Sequence, residues 1–266
     1  MGRLEDQVAV ITGAGQGIGA AIARRFAEEG ADIVVAEMNP DTGPRTVAEV
    51  EERGRQGHFI QTDVGIKEQA VGCVEAALEQ FGRIDCLVNN AWGGGTYKRF
   101  EFKTDANIMH GINVGYLACF WTMQAAFEPM VAQGGGSIIN ICSLNGVNAH
   151  RYSLEYNAAK EAARTMTRTA AVEWGRHAIR CNVICPGAAT DAYKAFASAN
   201  PDNATKLLEL KPVPRMGDPD TDIAPVALFL ASDDSVYITG NTIYADGGTH
   251  VNGAAWNPQV PDHPTP

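Results

Sequence analysis

Residues 8–29 impose the strongest constraint on the fold. Val8–Thr12 is a short apolar run, the next seven residues carry four glycines (Gly13, Gly15, Gly17 and Gly19), and a helical pattern continues to Glu29. Strand, tight glycine turn and helix in that order are the opening of a βαβ unit, whose next strand lies parallel after a crossover. The chain repeats the rhythm. Further strand candidates stand at Asp32–Glu37, His58–Thr62, Ile84–Asn89, Ser137–Cys142, Ile179–Ile184 and Thr242–Ala245. Helix-length patterns lie between them, near 17–29, 41–54, 67–81, 105–132, 155–176 and 219–231. Most strand candidates are continuous apolar runs, as expected of strands buried on both faces of a parallel sheet. The expected fold class is therefore α/β: a doubly wound Rossmann fold, with a central parallel sheet of about seven strands and helices on both faces.

The 266 residues, 45% of them hydrophobic, suit one large core, so residues 1–250 are expected to form a single domain. Residues 188–218 make a connection too long for an ordinary βα loop and are expected to be a substrate-binding lid. Residues 251–266, with Trp256 and four prolines, read as an extended C-terminal arm.

Composition removes several function classes. A formal net charge of −10 is unsuited to a general nucleic-acid binder, which needs a basic face. No apolar run reaches the ~18 residues that span a bilayer, and the first residues lack a signal-peptide pattern. The expectation is a cytoplasmic protein without nucleic-acid or membrane partners. Six cysteines without a C-x-x-C pair read as packed free thiols, and the six histidines show no paired ligand spacing, so no metal is expected.

The turn Gly13-Ala14-Gly15-Gln16-Gly17-Ile18-Gly19 has the context of a dinucleotide site. Glycine permits the tight turn and close backbone approach, and the helix N-terminus faces a pyrophosphate. Glu37 closes the second strand, 18 residues after Gly19. An acidic side chain there accepts hydrogen bonds from both ribose hydroxyls and repels a 2′-phosphate, so NAD is expected over NADP. The alternative for each is bland: an ordinary glycine-rich turn, and a solvated glutamate.

Tyr156 and Lys160 share one face of a helix at i, i+4. A phenol titrates near 10, and a neighbouring ammonium favours the phenolate, which makes Tyr156 a usable acid/base at neutral pH. Alone, the pair is as well explained by an aromatic ring packed on a lysine stem. Three other residues support the catalytic reading. Ser143 ends the fifth strand, where its hydroxyl can bind a substrate oxygen. Asn90 ends the fourth. Asn113 sits inside a long helical pattern, where asparagine is a poor choice unless used.

With these residues in place, the chain resembles the short-chain dehydrogenase/reductase family over nearly all of residues 5–248. The resemblance rests on Thr12-Gly-x-x-x-Gly17-x-Gly19, Asp63-Val64, Asn89-Asn90-Ala91, Asn113, Ser143, Tyr156-x-x-x-Lys160, Pro186-Gly187 and Asp246-Gly247-Gly248. It implies that Tyr156 is the acid/base, that Ser143 stabilises the substrate oxygen and that Lys160 lowers the tyrosine pKa and binds the nicotinamide ribose. It implies that Asn113 positions a water linking Lys160 to solvent. Asp63 and Val64 would contact adenine, Asn90 the ribose side, and Gly187, Ala189 and Thr190 the nicotinamide. It also implies a homotetramer that meets through the helices at 105–132 and 155–176.

Two positions depart from the family pattern. Trp92 stands where the family has glycine; either the turn slips to use Gly93, or Trp92 reshapes the pocket wall. Asp191 stands where the family often has threonine, with Thr190 one residue earlier.

The expected function is interconversion of a secondary alcohol and a ketone by hydride transfer, with NAD(H). The pocket is expected from Ser143, Trp92, Asn145, Tyr156 and Tyr193, its apolar members suiting a fairly apolar small molecule. The alternatives are a 3-oxoacyl-carrier-protein reductase using NADPH, for which Lys98, Arg99 and Arg151 offer a local basic patch, and a non-catalytic NAD-binding sensor or scaffold.

Overall fold

β1 (Val8–Thr12) is buried along its whole length and pairs on both sides, with β2 (Asp32–Glu37) and β4 (Cys86–Asn89). In the computed structural model, which describes residues 2–251, β3 (Gly57–Gln61), β5 (Gly136–Ile141), β6 (Ile179–Pro186) and β7 (Thr242–Ala245) complete a seven-stranded sheet. The order is β3-β2-β1-β4-β5-β6-β7, and every pairing is parallel.

The period-2 alternation of β1 divides the core between the two faces. Ala9 and Ile11 join Ile22 and Phe26 of α1 (Gly17–Glu28) and Leu228 of α10 (Ala224–Ala231). Val8 and Val10 join Val74 of α3 (Lys67–Phe81) and Met123 and Met130 of α5 (Ala118–Ala132). Both faces are therefore covered, which is why the strands carry no polar alternation. Phe26 is fully buried, and its burial contributes about 1.5–3 kcal/mol.

The chain winds outward from β1 to β3, then returns to place β4 on the other side of β1. At that reversal the connections leave in opposite directions and open a crevice at the carboxyl ends of β1 and β4. The remaining helices are α2 (Thr42–Glu51), α4 (Asp105–Ile112), α6 (Leu144–Asn148), α7 (Leu154–Trp174), α8 (Asp191–Ala199) and α9 (Pro201–Glu209).

Two expectations need correction. The helix expected over 105–132 is α4 and α5 joined by a π-turn at Asn113–Leu117, where Ala118 N–H bonds back to the Asn113 carbonyl. Ser143 does not end β5, which stops at Ile141; it caps the short α6, its Oγ accepting from Asn145 N–H at 3.1 Å. The long 188–218 connection carries α8 and α9. Of the expected C-terminal arm, residues 252–266 lie outside the described residues.

All six cysteines are free and buried. Burial pushes the thiols of Cys73, Cys86, Cys181 and Cys185 up to about 12. Among the described residues no helix is long and apolar enough to cross a membrane, and no group of three His, Cys, Asp or Glu could hold a metal ion.

Candidate active site

The glycine turn sits at the head of β1, and each glycine there has a local cause. Gly13 and Gly17 have φ of 63° and 56°, in the left-handed region that L side chains avoid. At Gly15 a Cβ would meet Thr42 Oγ1 at 2.3 Å, and at Gly19 the Gly13 carbonyl at 2.3 Å. Gln16 precedes α1 in extended backbone without a side-chain cap, and the first turn has no acidic residue. The leading N–H groups, Gly17, Ile18 and Gly19 among them, thus meet no side-chain acceptor from the cap, and the helix dipole favours an anion. The donor set fits a pyrophosphate.

Glu37 lies at this turn and is not a free surface group. Its carboxylate accepts from Gly15 N–H and from Asn39 N–H, each at 3.0 Å. Arg45 of α2 donates to the Gly15 carbonyl at 3.3 Å. Sequence reasoning missed this guanidinium, because α2 reaches the turn only through the fold.

Asn90 fastens the crevice. Its Nδ2 donates to the carbonyls of Thr12 and Gly13, both at 3.0 Å, and the N–H groups of Asn90 and Ala91 donate to Thr12 Oγ1. The ends of β1 and β4 are stapled together there. Asp63 closes an Asx turn by accepting from Gly65 N–H at 2.9 Å, with Val64 buried beside it.

Tyr156 and Lys160 stand on α7. Lys160 is 4% exposed, and its Nζ donates to the Ile141 carbonyl at 2.7 Å. This bond ties α7 to the end of β5, two residues before Ser143. The α6 turn packs on the same stretch of α7: a Cβ at Gly146 would meet Glu161 N at 3.0 Å and the Asn157 carbonyl at 3.2 Å. Asn145, half-buried, therefore shares this corner with Ser143.

Trp92 joins the same cluster. Its ring stands edge-on to Tyr156, centroids 4.6 Å apart at 67°, and Lys160 Nζ lies 5.7 Å from the Trp92 centroid and 5.8 Å from that of Tyr156. The indole has room because Gly115 has no side chain; a Cβ there would meet Trp92 Cζ3 at 2.8 Å. Gly115 belongs to the π-turn that Asn113 opens, so the widened backbone turn and the bulky indole meet at one place. His110 Nε2 lies 2.6 Å from the Gly93 carbonyl and holds the turn just after Trp92.

On the far side, Gly187 bonds to Ala245 and Gly217, and Ala189 N–H to the Gly217 carbonyl at 2.7 Å. Thr190 caps α8 by accepting from Tyr193 N–H, and its methyl lies 3.8 Å from the Cβ position of Gly17. The 187–190 stretch and the glycine turn thus face each other. Tyr193 is half-buried, and its ring neighbours Phe196 with centroids 6.4 Å apart. Sequence reasoning also missed a buried ion pair, Lys103–Glu155, on the residue preceding Tyr156. The partners are far apart in sequence, and neither lies in an apolar pattern that would mark it as interior.

A family described as enoyl-(acyl carrier protein) reductase matches residues 13–250. The chain is 38% identical over 253 residues to a 2,5-dichloro-2,5-cyclohexadiene-1,4-diol dehydrogenase of Sphingobium indicum, covering 94% of this chain and 98% of that one. A solved 7α-hydroxysteroid dehydrogenase complexed with NADH and 7-oxo glycochenodeoxycholic acid is similar at a TM-score of 0.88 and 35% identity, covering 92% of this chain and 95% of the other. Carveol dehydrogenase from Mycobacterium avium, solved with NAD, is similar at 0.88 and 30% identity, covering 94% and 100%.

Proposed function

The chain belongs to the short-chain dehydrogenase/reductase family of oxidoreductases acting on alcohol groups, and we propose that it interconverts a secondary alcohol and a ketone with NAD(H), using Tyr156 as the acid/base. The observation that carries this reading is the Lys160 ammonium, buried and anchored on Ile141, 5.8 Å from the Tyr156 ring centroid. That ammonium sets a fixed positive charge beside the phenol ring. Tyr156 then gives its proton to the oxygen of a carbonyl being reduced, or takes one from an alcohol being oxidised. Ser143 donates a hydrogen bond to the same oxygen, and Asn113 holds the water that refills the proton. When bound, the dinucleotide supplies or accepts the hydride.

Gly13, Gly15, Gln16, Gly17, Ile18 and Gly19 would hold its pyrophosphate. Glu37 would take the adenosine ribose, Asp63 and Val64 the adenine, and Asn90 the ribose side by its remaining oxygen. Lys160 would take the nicotinamide ribose, and Gly187, Ala189 and Thr190 the carboxamide. Trp92, Asn145 and Tyr193 line the substrate side, with α8 and α9 as its lid. An apolar body fits these walls, in keeping with the alicyclic compounds in the names of the relatives. Residues 1–250 serve as one cofactor-binding unit. Six reduced thiols suit the cytoplasm. Assembly as a homotetramer is supported by an apolar groove between α5 and α7, lined by Phe120, Met123, Ala162, Met166 and Trp174.

Arg45 is the observation that favours the second reading, an NADPH-dependent 3-oxoacyl-carrier-protein reductase, because a guanidinium at the turn can meet a 2′-phosphate. Against it, the Glu37 carboxylate stands at the same turn. A steady-state comparison of NADH with NADPH over a panel of ketones separates the two, and a strong NADPH preference refutes the NAD assignment. Tyr156→Phe, assayed in parallel, should lose turnover and keep dinucleotide binding; retained turnover refutes the acid/base assignment.

A further inference from the structure

The segment 93–104 leaves the crevice after Trp92; His110 Nε2 lies 2.6 Å from its Gly93 carbonyl, and Lys98 N–H donates to the Tyr152 carbonyl at 3.0 Å. It begins with Gly93-Gly94-Gly95, which have no side chains to pack. Its aromatics point outward: Tyr97, Phe100 and Phe102 are 83%, 74% and 65% exposed. The segment is anchored by polar groups instead. Glu155 Oε1 accepts from Thr96 N–H at 2.9 Å and from Thr96 Oγ1 at 3.0 Å. Glu155 Oε2 accepts from Lys103 Nζ at 2.5 Å, and Lys103 Nζ also donates to the Thr96 carbonyl and Oγ1. The Lys103 and Glu155 side chains are each 2% exposed. Gly111 of α4 makes the space, since a Cβ there would meet Glu155 Cβ at 2.7 Å.

A buried ion pair is a poor way to gain net stability, because desolvating two charges costs about as much as their attraction returns. Its geometric effect here is specific. Glu155 is bonded covalently to Tyr156, and Trp92 lies edge-on to the Tyr156 ring. The segment is therefore fixed at its start on residue 156 and further along on residue 155.

We propose that Lys103 and Glu155 are positioning residues for the reaction: their ion pair docks segment 93–104 on the start of α7, so that the Trp92 wall and the Tyr156 hydroxyl move as one unit. The proposal rests on the reading of Tyr156 as the acid/base and of Trp92 as the pocket wall. It concerns substrate placement and leaves the dinucleotide turn untouched.

The informative variant is Lys103→Met/Glu155→Gln, which removes the ion pair without leaving one buried charge unpaired. Thermal unfolding confirms that it is folded. The expected result is a fall in kcat/KM for the alcohol or ketone of at least about tenfold, as misplacement of a reacting group brings, with the KM for the dinucleotide within about twofold. Trypsin should cut after Lys98 or Arg99 at least about tenfold faster, because the segment opens locally. A folded double variant with wild-type kcat/KM overturns the proposal, as does an unchanged cleavage rate or an equal rise in both KM values. Tyr156→Phe run alongside keeps the two readings apart. Turnover retained there refutes the acid/base assignment, whereas full activity in the double variant beside an inactive Tyr156→Phe refutes only the positioning role.

Discussion

Gly19→Ala tests the dinucleotide turn at its tightest point. The new methyl would stand 2.3 Å from the Gly13 carbonyl, 2.6 Å from Asn90 Nδ2 and 2.9 Å from Ala14 Cα. Two of the three neighbours are backbone, and the third is held by bonds to Thr12 and Gly13. No flexible side chain can swing aside, so α1 and the turn must separate by about 0.7 Å to bring the closest contact to 3.0 Å. Overpacking of this kind costs about 1–3 kcal/mol. In a chain of this size each kcal/mol lowers Tm by about 2–4 °C. The expected loss is thus between about 2 and 12 °C, read by calorimetry at fixed scan rate. The same displacement moves the Gly17–Gly19 N–H groups, and NAD affinity by titration calorimetry should fall at least about tenfold. A variant with wild-type Tm and wild-type affinity refutes the claim that the turn is closed on backbone contacts and serves the pyrophosphate.

Gly72→Ala, inside α3 with nothing within 4 Å of the new methyl, should stabilise the protein by about 0.4–1 kcal/mol in urea unfolding; destabilisation contradicts the open space there. Glu37→Arg removes the carboxylate that accepts from Gly15 N–H and should shift the NADH/NADPH ratio of kcat/KM towards NADPH by at least about tenfold; an unchanged ratio refutes Glu37 as the selector. Burial pushes the Glu155 carboxyl up, but the bonds from Lys103 and Thr96 outweigh it and hold the group at about 2 against an ordinary 4.5. A carboxyl depressed in the folded state contributes stability above its unfolded value and loses it as the pH falls from about 4.5 towards about 2. Wild-type Tm should therefore drop more steeply over that window than that of Glu155→Gln, and parallel curves refute the ion pair.

The fold was legible where local pattern and burial agree. β1 and β2 have the bounds that their apolar runs suggest, because both are buried along most of their length, and the half-buried edge strand β7 has its expected bounds too. The turn at Gly13–Gly19 and the Tyr156–Lys160 pair were legible because each is local in sequence. The break at Asn113 was only half legible. Asparagine in a helical pattern marked the place, but apolar periodicity carries no sign of a one-residue widening. Ser143 was read as a strand end, yet the ladder stops at Ile141 and the next turn is set by the Ser143 cap. Arg45 and Lys103–Glu155 were illegible for a common reason. Each meets its partner only after the chain has wound, and a charged residue on a helix or in a loop looks like solvated surface.

The six sheltered sulfurs also give the protein a chemical clock. Burial holds these thiols well above their ordinary range, so they stay protonated at neutral pH, and the thiolate is the form that reacts. Disulfide reagents and alkylating agents therefore meet almost no target on the intact fold, since every cysteine is buried. The sulfurs lie on both sides of the sheet, Cys86 in the core under α1 and α10 and Cys73 and Cys181 in the core on the opposite face, so no one local opening exposes them all. The rate at which the full set is modified then measures how often the whole sheet comes apart.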